Sequence, residues 1–448
     1  MASRTRALNM TEGVIWKQLA SFAFPMMLTN LLQQLYNTAD TLVVGRFVGH
    51  TALAAVGGTG TIIFLIVGFF AGLAAGAGVV ISQYYGAGNK EKLQDAVHTA
   101  IALALVFGVF LGILGYLLTP AMLRLIQTPD DVMADATLYL RISFGGMVCG
   151  TVYNLGAGIL RAVGDSKRPL YFLMISGLIN VILNLILVLV FKLGVAGVAI
   201  ATIVSQLLSS IMILVTLSRT KEAYHFSFKK LRLNPSMLRR IVRLGFPAGI
   251  QSMAFSVSNI IIQSQINVFG SDAMAGQSAG QQIVNYVYMP LMALSLTITT
   301  FVGQNVGAGK WDRVKQGTRV CMIMSAAVTL FMSALAVIFR EFLVSLYTTE
   351  ASVLPYGMLT VLVSGAAYIT YVPTDVLAGV IRGSGNTLIP MIITLTSICL
   401  LRIVWLLIAI PIWHSYLVVV LCYPITWAVA SICYIIYYFR GKWQRDMA

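Results

Sequence analysis

Apolar runs of about 20 residues recur along the chain from end to end, and each is long enough to cross about 30 Å of hydrocarbon. A chain in that setting must satisfy its backbone polar groups internally, as helices or as a closed barrel. The runs are continuous rather than alternating, which argues against a barrel. Composition agrees. Of 448 residues, 58% are hydrophobic and 10% charged, with a mean hydropathy of +0.86; soluble domains are roughly 45–50% apolar and about 25% charged. The sequence predicts an all-α polytopic membrane protein with twelve transmembrane helices, near residues 18–42, 52–80, 97–118, 136–159, 169–191, 195–217, 246–268, 275–302, 318–339, 358–381, 387–410 and 417–438. The start, MASRTRALNMTEGVIWKQ, lacks the short apolar core and small-residue cleavage site of a removable signal peptide, so the first span is expected to act as its own insertion signal. Cys149, Cys321, Cys399, Cys422 and Cys433 fall in or beside apolar runs without metal-ligand spacing and read as small core residues.

The net charge of +15 is an orientation signal. With both termini on one side, 24 of the 30 Lys and Arg lie there: in the two tails, at Lys90 and Lys92, over 161–168, over 218–245, over 310–319 and at Arg382. The opposite side holds Arg46, Arg124, Arg141, Lys192 and Arg340, and Arg402 lies inside a span. This bias places both termini in the cytoplasm and gives no reason to expect a nucleic-acid partner.

The chain repeats itself. SQYYGAGNKEKLQ from Ser82 matches GQNVGAGKWDRVK from Gly303, and LRAVGDSKRP from Leu160 matches IRGSGNTLIP from Ile381, both at an offset of 221 residues. With one residue of slippage, FAFPMMLTNLLQQLYN from Phe22 matches LGFPAGIQSMAFSVSN from Leu244. Several landmarks sharing one spacing indicate an internal duplication into an amino-terminal six-helix lobe (1–217), a cytoplasmic linker (218–245) and a carboxyl-terminal six-helix lobe (246–448) with a cytoplasmic tail. Six spans return the chain to its starting side, so the lobes have the same orientation. They are expected to be related by a pseudo-twofold axis along the membrane normal, with a pathway between them. The basic linker leaves room for a short helix on the membrane surface and reads as a tether on which the lobes rock. The GAG segments lack the Gly-Lys-Ser/Thr ending and preceding strand of a phosphate loop. They read as glycine-terminated helices followed by tight turns.

Of 15 acidic residues, only Asp40 and Asp375 lie within spans. An ionisable group there costs at least about 2.5–3.5 kcal/mol and requires a partner or a function. Asp40 is expected to exchange an ion, or else to be an outer-end residue that caps the next turn or pairs with Arg46. Asn180 and Asn184 stand four apart on one face of the fifth span, as ion ligands or as interhelical glue worth about 0.6 kcal/mol each. Asp375 follows Pro373, which breaks helix hydrogen bonds and frees carbonyls for a cation site or simply kinks the helix. Arg402 is a candidate charge partner for Asp375, although roughly 12 Å separates them in depth by helix rise. Candidate substrate contacts are Gln34, Tyr36 and Asn37 near Asp40, Asn154 at the position matching Asp375, and the cluster of Gln281, Gln282, Asn285 and Tyr286 with Tyr288.

Over essentially its whole length the chain resembles the multidrug and toxic compound extrusion family, through the twelve spans in two halves, LYNTADTLVVGRFVG, YYGAGN and LRAVGDSKRP. The resemblance implies a cation-coupled antiporter in the bacterial plasma (inner) membrane. It implies export of small cationic or amphipathic organic compounds by alternating access, driven by protons or sodium, without a cofactor and within one chain. Family members place an acid at Asp40 in a cavity with polar groups matching Asn180, Asn184 and Thr202; position 184 is an aspartate in some. Another branch uses a seventh-span carboxylate, absent from GIQSMAFSVSN, and a tenth-span aspartate that Asp375 matches. A sodium ion, if it is the coupling ion, belongs at Asp40 or Asp375. The alternative is a flippase for lipid-linked oligosaccharide or related polyprenyl substrates, which would show a cationic cavity. A membrane-embedded enzyme would need paired acidic metal-binding motifs, and the sequence has none.

Overall fold

The computed structural model describes residues 8–126, 128–441 and 443. The chain ends expected in the cytoplasm, residues 1–7 and 444–448, lie outside the described residues, as do 127 and 442. Among the described residues every regular element is helical. Eight helices are long and apolar enough to cross a membrane, and ten if each of two bent pairs is a single span. The pairs are α4 (Asp130–Gly145) with α5 (Met147–Ala162), bent by 50°, and Leu354–Gly365 with Tyr368–Gly383, bent by 44°. The two remaining expected spans fall on α1 (Ile15–Phe47) and α8 (Pro235–Asn267). Polar residues such as Asn30, Gln33, Gln34 and Asn37 in α1, and Gln251, Asn259 and Gln263 in α8, dilute their apolar character.

The duplication is written in the backbone. Gly49 and Gly270, Gly88 and Gly309, and Gly164 and Gly385 all have positive φ, and the members of each pair are 221 residues apart. The GAG segments are helix ends, as expected. α2 (His50–Gly86) and α9 (Ser271–Gly307) each stop at the first glycine of the motif. The last glycine of each takes φ of +66° or +71°, and the next residue bonds back, Asn89 N to Tyr84 O at 3.2 Å and Lys310 N to Asn305 O at 2.8 Å. Only a residue without Cβ adopts this conformation cheaply.

The described chain packs as two compact units. One comprises residues 8–9 and Leu28–Gly249; the other comprises Met10–Met27 and the chain from Ile250 onward. α1 therefore changes unit after Met27 and α8 after Gly249, in each case two residues past a proline, Pro25 or Pro247. Proline removes one backbone hydrogen bond and crowds the carbonyl four residues back, so each helix ladder is interrupted within a turn of the change of unit.

In the first unit, α2, α3 (Lys90–Leu125), α5, α6 (Lys167–Leu185) and α7 (Gly194–Arg219) surround a core that includes Val97, Ile101, Leu155, Ile159 and Ile213. The amino-terminal part of α8 joins it through glycine. A Cβ on Gly72 would lie 2.2 Å from Gly249 N, and one on Gly76 would lie 2.4 Å from Gly245 N. Two small-xxx-small faces thus bring the backbones into contact, the arrangement that favours close helix packing without bulky side chains. The linker packs against the first unit. It holds a three-residue 3₁₀ turn, Phe228–Lys230, and from Pro235 the start of α8, and is docked on α3. Tyr224 and Phe226, 2% and 0% exposed, join the core. Ser227 N donates to His98 Nε2 at 3.0 Å, and Arg232 pairs with Asp95 at 2.6 Å. Burying two aromatic rings outweighs the solvation that a free basic loop would keep.

The second unit is built on α9, α10 (Trp311–Ile338), α13 (Val372–Gly383), α15 (Leu401–Ile412) and α16 (Tyr416–Phe439). The segment before α1 is held here by its backbone. Met10 N donates to Gln304 Oε1 at 3.0 Å, Asn305 Nδ2 donates to Met10 O at 3.1 Å, and Lys310 Nζ donates to Thr11 O at 2.9 Å.

These contacts make a paired prediction about α2. Gly72→Ala forces backbones apart and is expected to destabilise by about 1–3 kcal/mol. A Cβ on Gly58 meets nothing within 4 Å, so Gly58→Ala is expected to stabilise by up to about 1 kcal/mol. Thermal unfolding in detergent compares them; equal shifts would refute the close packing of α2 on α8.

Candidate functional site

In the first unit the sequence-selected polar residues converge. Asp40 lies near the carboxyl-terminal end of α1, half-buried, facing α6 and α7 through Asn184 and Thr202. Asn184 Nδ2 donates to Asp40 Oδ1 at 2.5 Å and to Asn180 Oδ1 at 3.0 Å, which uses both its protons. Asn180 and Asn184 are fully buried. The (i, i+4) spacing that puts them on one face also forms their mutual bond. α6 then passes directly into a π-helical turn, Ile186–Val190, an irregularity frequent at functional sites. The Thr202 hydroxyl faces two acceptors, the Asp40 carboxylate and Val198 O at 3.0 Å, with one proton to give. Tyr36, one turn before Asp40, bonds Ser205 at 3.1 Å. Asn184 Oδ1 and Asn180 Nδ2 are buried without a hydrogen-bond partner. An orphaned amide oxygen beside a carboxylate is an oxygen donor set that fits a cation or a carboxyl proton.

Two members of this cluster escaped the sequence reading. Ser205 holds the Tyr36 hydroxyl. Tyr139 on α4 packs against the apolar cluster that includes Val43, Val44, Val188 and Val198 and lies within electrostatic reach of Asp40. Ser205 lies three residues beyond Thr202 and so shares its helix face, a usable signal. Tyr139 reaches the site through tertiary packing alone.

The second unit holds Asp375, 8% exposed. Ser295 Oγ donates to its backbone carbonyl at 2.9 Å, and Arg382 Nη2 reaches the same hydroxyl at 3.4 Å, while Asp375 Oδ2 has no hydrogen-bond partner. Pro373 stands in the first turn of α13, after a 3₁₀ turn at Tyr368–Tyr371, so the helix break read from the proline is present. Around it Tyr288, Tyr368, Tyr371 and Trp427 form an aromatic cluster, with Tyr368 and Trp427 centroids 4.7 Å apart. Arg402, 3% exposed, is not brought onto Asp375. Its Nε donates to Thr426 Oγ1 at 3.2 Å, and its guanidinium lies 4.8 Å over the Tyr423 ring. Among the described residues the ion pairs are Arg168–Asp165 and Arg232–Asp95, so Asp40 is not paired with Arg46 either.

The remaining selected residues are dispersed. Gln34 and Asn37 accept bonds from Thr38 and Thr41 through their backbone carbonyls at 2.9 Å, and Asn154 Nδ2 donates to Gly150 O at 2.9 Å. Gln281 Nε2 donates to Asn285 Oδ1 at 3.1 Å on a face of α9 where Gln282 and Tyr286 are also exposed. Tyr288 belongs to the buried aromatic cluster instead.

A family model described as MatE matches residues 25–186 and again residues 247–408. The chain belongs to the MatE family. The two matches are the two halves of the duplication. A Bacillus subtilis relative named probable multidrug resistance protein YoeA is 31% identical over 86% of this chain and 84% of its own length. A Shewanella oneidensis relative named FAD transporter is 27% identical over 74% of each chain. A solved structure described as the outward-facing conformation of a multidrug resistance MATE family transporter shares the fold, with a TM-score of 0.91 at 21% identity over 100% of both chains. The chain is thus a multi-pass membrane protein of a transporter family, as its sequence implied.

The Asp40–Asn184 bond is charge-assisted and is expected to carry a coupling energy of about 1.5–3 kcal/mol. A double-mutant cycle of Asp40→Asn and Asn184→Ala, read by thermal unfolding, measures it. Strict additivity of the two losses would show that the residues do not interact.

Proposed function

We propose that this MatE-family chain is an antiporter that exports cationic or amphipathic organic compounds in exchange for inward protons or sodium. The observation that carries the reading is the Asp40–Asn184–Asn180 chain of contacts inside an apolar unit. An ionised Asp40 accepts from Asn184 Nδ2. A protonated Asp40 becomes a donor, and the orphaned Asn184 Oδ1 is an acceptor beside it. For sodium, the same carboxylate with the Asn184 and Asn180 carbonyl oxygens and the Thr202 hydroxyl supplies hard oxygen ligands. Either ion changes the bonding of α1 to α6 and α7. Coupling requires only that the ion favour one arrangement of the lobes. Asp375, with its unpartnered Oδ2, is a second candidate ion site, and the Tyr288–Tyr368–Tyr371–Trp427 cluster offers faces for an organic cation.

The names of the relatives, multidrug resistance and FAD transport, support bulky aromatic cargo over a polyprenyl-linked one. The flippase reading calls for a cationic cavity, and Arg402 is committed to Thr426 and Tyr423. The charge asymmetry supports both termini in the cytoplasm of a bacterial plasma membrane. A working monomer accords with two lobes in one chain.

The test is efflux of a fluorescent organic cation from proteoliposomes under an imposed pH gradient and, separately, a sodium gradient. Transport is expected under at least one of them, and Asp40→Asn is expected to lose at least about 100-fold of the uphill rate. Silence under both gradients with folded protein, or an Asp40→Asn variant at full uphill rate, would sink the reading.

A further inference from the structure

The docking of the linker on α3 leaves a recess of about 490 Å³ lined by Glu91, Gln94, Asp95 and His98 of α3 and by Lys229, Lys230, Leu231 and Arg232 of the linker. Several of these groups are already committed. Arg232 Nη2 bonds Asp95 Oδ1 at 2.6 Å, and Asn234 Nδ2 bonds Asp95 Oδ2 at 3.0 Å. His98 accepts from Ser227 N through Nε2 and bonds Gln94 O at 2.7 Å through Nδ1, so its ring is fully used as the neutral Nδ1–H tautomer. The polar side chains left over are Glu91, Gln94, Lys229 and Lys230: two cations, one carboxylate and one amide.

The rim of the recess is apolar. Phe228 is 60% exposed, and Leu231 and Leu233 are exposed beside it, in the alternating run FKKLRL. Phe226, two residues earlier, is fully buried, so the linker divides its aromatic residues between the protein core and the outside. The recess sits at the start of α3. Eleven residues beyond Asp95, roughly 16 Å along the helix, a face of exposed apolar residues begins with Val106, Val109, Phe110 and Ile113. The charged recess and the exposed apolar residues flanking it match the headgroup and glycerol region of a phospholipid, and residues 96–104 of α3, all buried, separate the recess from the apolar face farther along the helix.

We propose that this recess binds the headgroup of an amine-bearing phospholipid, its phosphate on Lys229 and Lys230 and its ammonium on Glu91. The mixed lining selects this class. A purely anionic headgroup would satisfy the lysines but meet the Glu91 carboxylate, whereas a phosphate and ammonium together match all three charges. A soluble phosphoamine would leave Phe228, Leu231 and Leu233 facing water. Because the linker is packed into the core of the first unit, a lipid seated here braces the unit at the point where α8 begins.

Native mass spectrometry of the full chain tests the site without reference to transport, so its failure is separable from failure of the exporter reading. The protein is released from micelles supplemented with dioleoyl phosphatidylethanolamine, phosphatidylglycerol or phosphatidylcholine, and retained lipid is counted. Wild type is expected to retain phosphatidylethanolamine most strongly. A Lys229→Gln/Lys230→Gln variant is expected to retain it at least about fivefold less, since each basic residue near a lipid surface contributes about 1 kcal/mol. Glu91→Gln is expected to lose the preference over phosphatidylglycerol while still binding lipid. These side chains are exposed, and unchanged thermal unfolding confirms that the variants fold. Equal retention of the three lipids by wild type, or of phosphatidylethanolamine by wild type and the double variant, would overturn the proposal. Displacement of the lipid by equimolar soluble phosphoethanolamine would overturn the assignment to a lipid.

Discussion

A helix in hydrocarbon satisfies its own backbone, so the side chains that interrupt its apolar surface must find partners on other helices. Most of what distinguishes this chain follows from that constraint. Asp40 is tolerated in α1 because Asn184 brings it a donor, and Asn184 is held in turn by Asn180 one helical turn away. The same demand shapes the second unit, where Ser295 joins Arg382 to the backbone of Asp375. In both places the stable arrangement remains incomplete. A buried amide oxygen in one unit and a buried carboxylate oxygen in the other have no partner. Such atoms are costly to leave unbonded.

Much of this was legible in the sequence because it depends on local spacing. Continuous apolar runs gave the helices, a fixed offset gave the duplication, and paired glycines fixed where helices end. The pairing of Asn180 with Asn184 was legible from helical spacing, whereas their grouping with Thr202 around Asp40 came from the family resemblance. What stayed hidden depends on which helix meets which. The sequence marks Gly72, Gly76, Gly245 and Gly249 as small residues but does not say that they touch each other. It offered Arg402 as a candidate partner for Asp375 despite a separation of roughly 12 Å in depth by helix rise, and the guanidinium is in fact placed at Thr426 and Tyr423. Tyr139 enters the site from a helix with no other selected residue.

The linker shows how composition misleads when read alone. A segment with eight basic residues between Ser218 and Gly245 looks solvated and loose. Its two buried aromatic residues decide otherwise, since Tyr224 and Phe226 enter the core together with Met237, Ile241 and Leu244. The charges then serve at fixed positions. Asp95 holds Arg232, and Asn234 caps the start of α8 by accepting from Ser236 N at 3.1 Å.

The change of unit within α1 and α8 bears on how the protein is made. The first unit lacks its last helical segment until residue 249 has been synthesised, long after the spans of the first half are complete. The second unit requires Met10–Met27, which leaves the ribosome before any other part of that unit exists. This early segment must wait in the bilayer, with Ala23 and Met26 still unburied, while more than two hundred further residues are inserted. Each unit therefore draws segments from both halves of the sequence, and the second is assembled only when the helices after Ile250 join Met10–Met27.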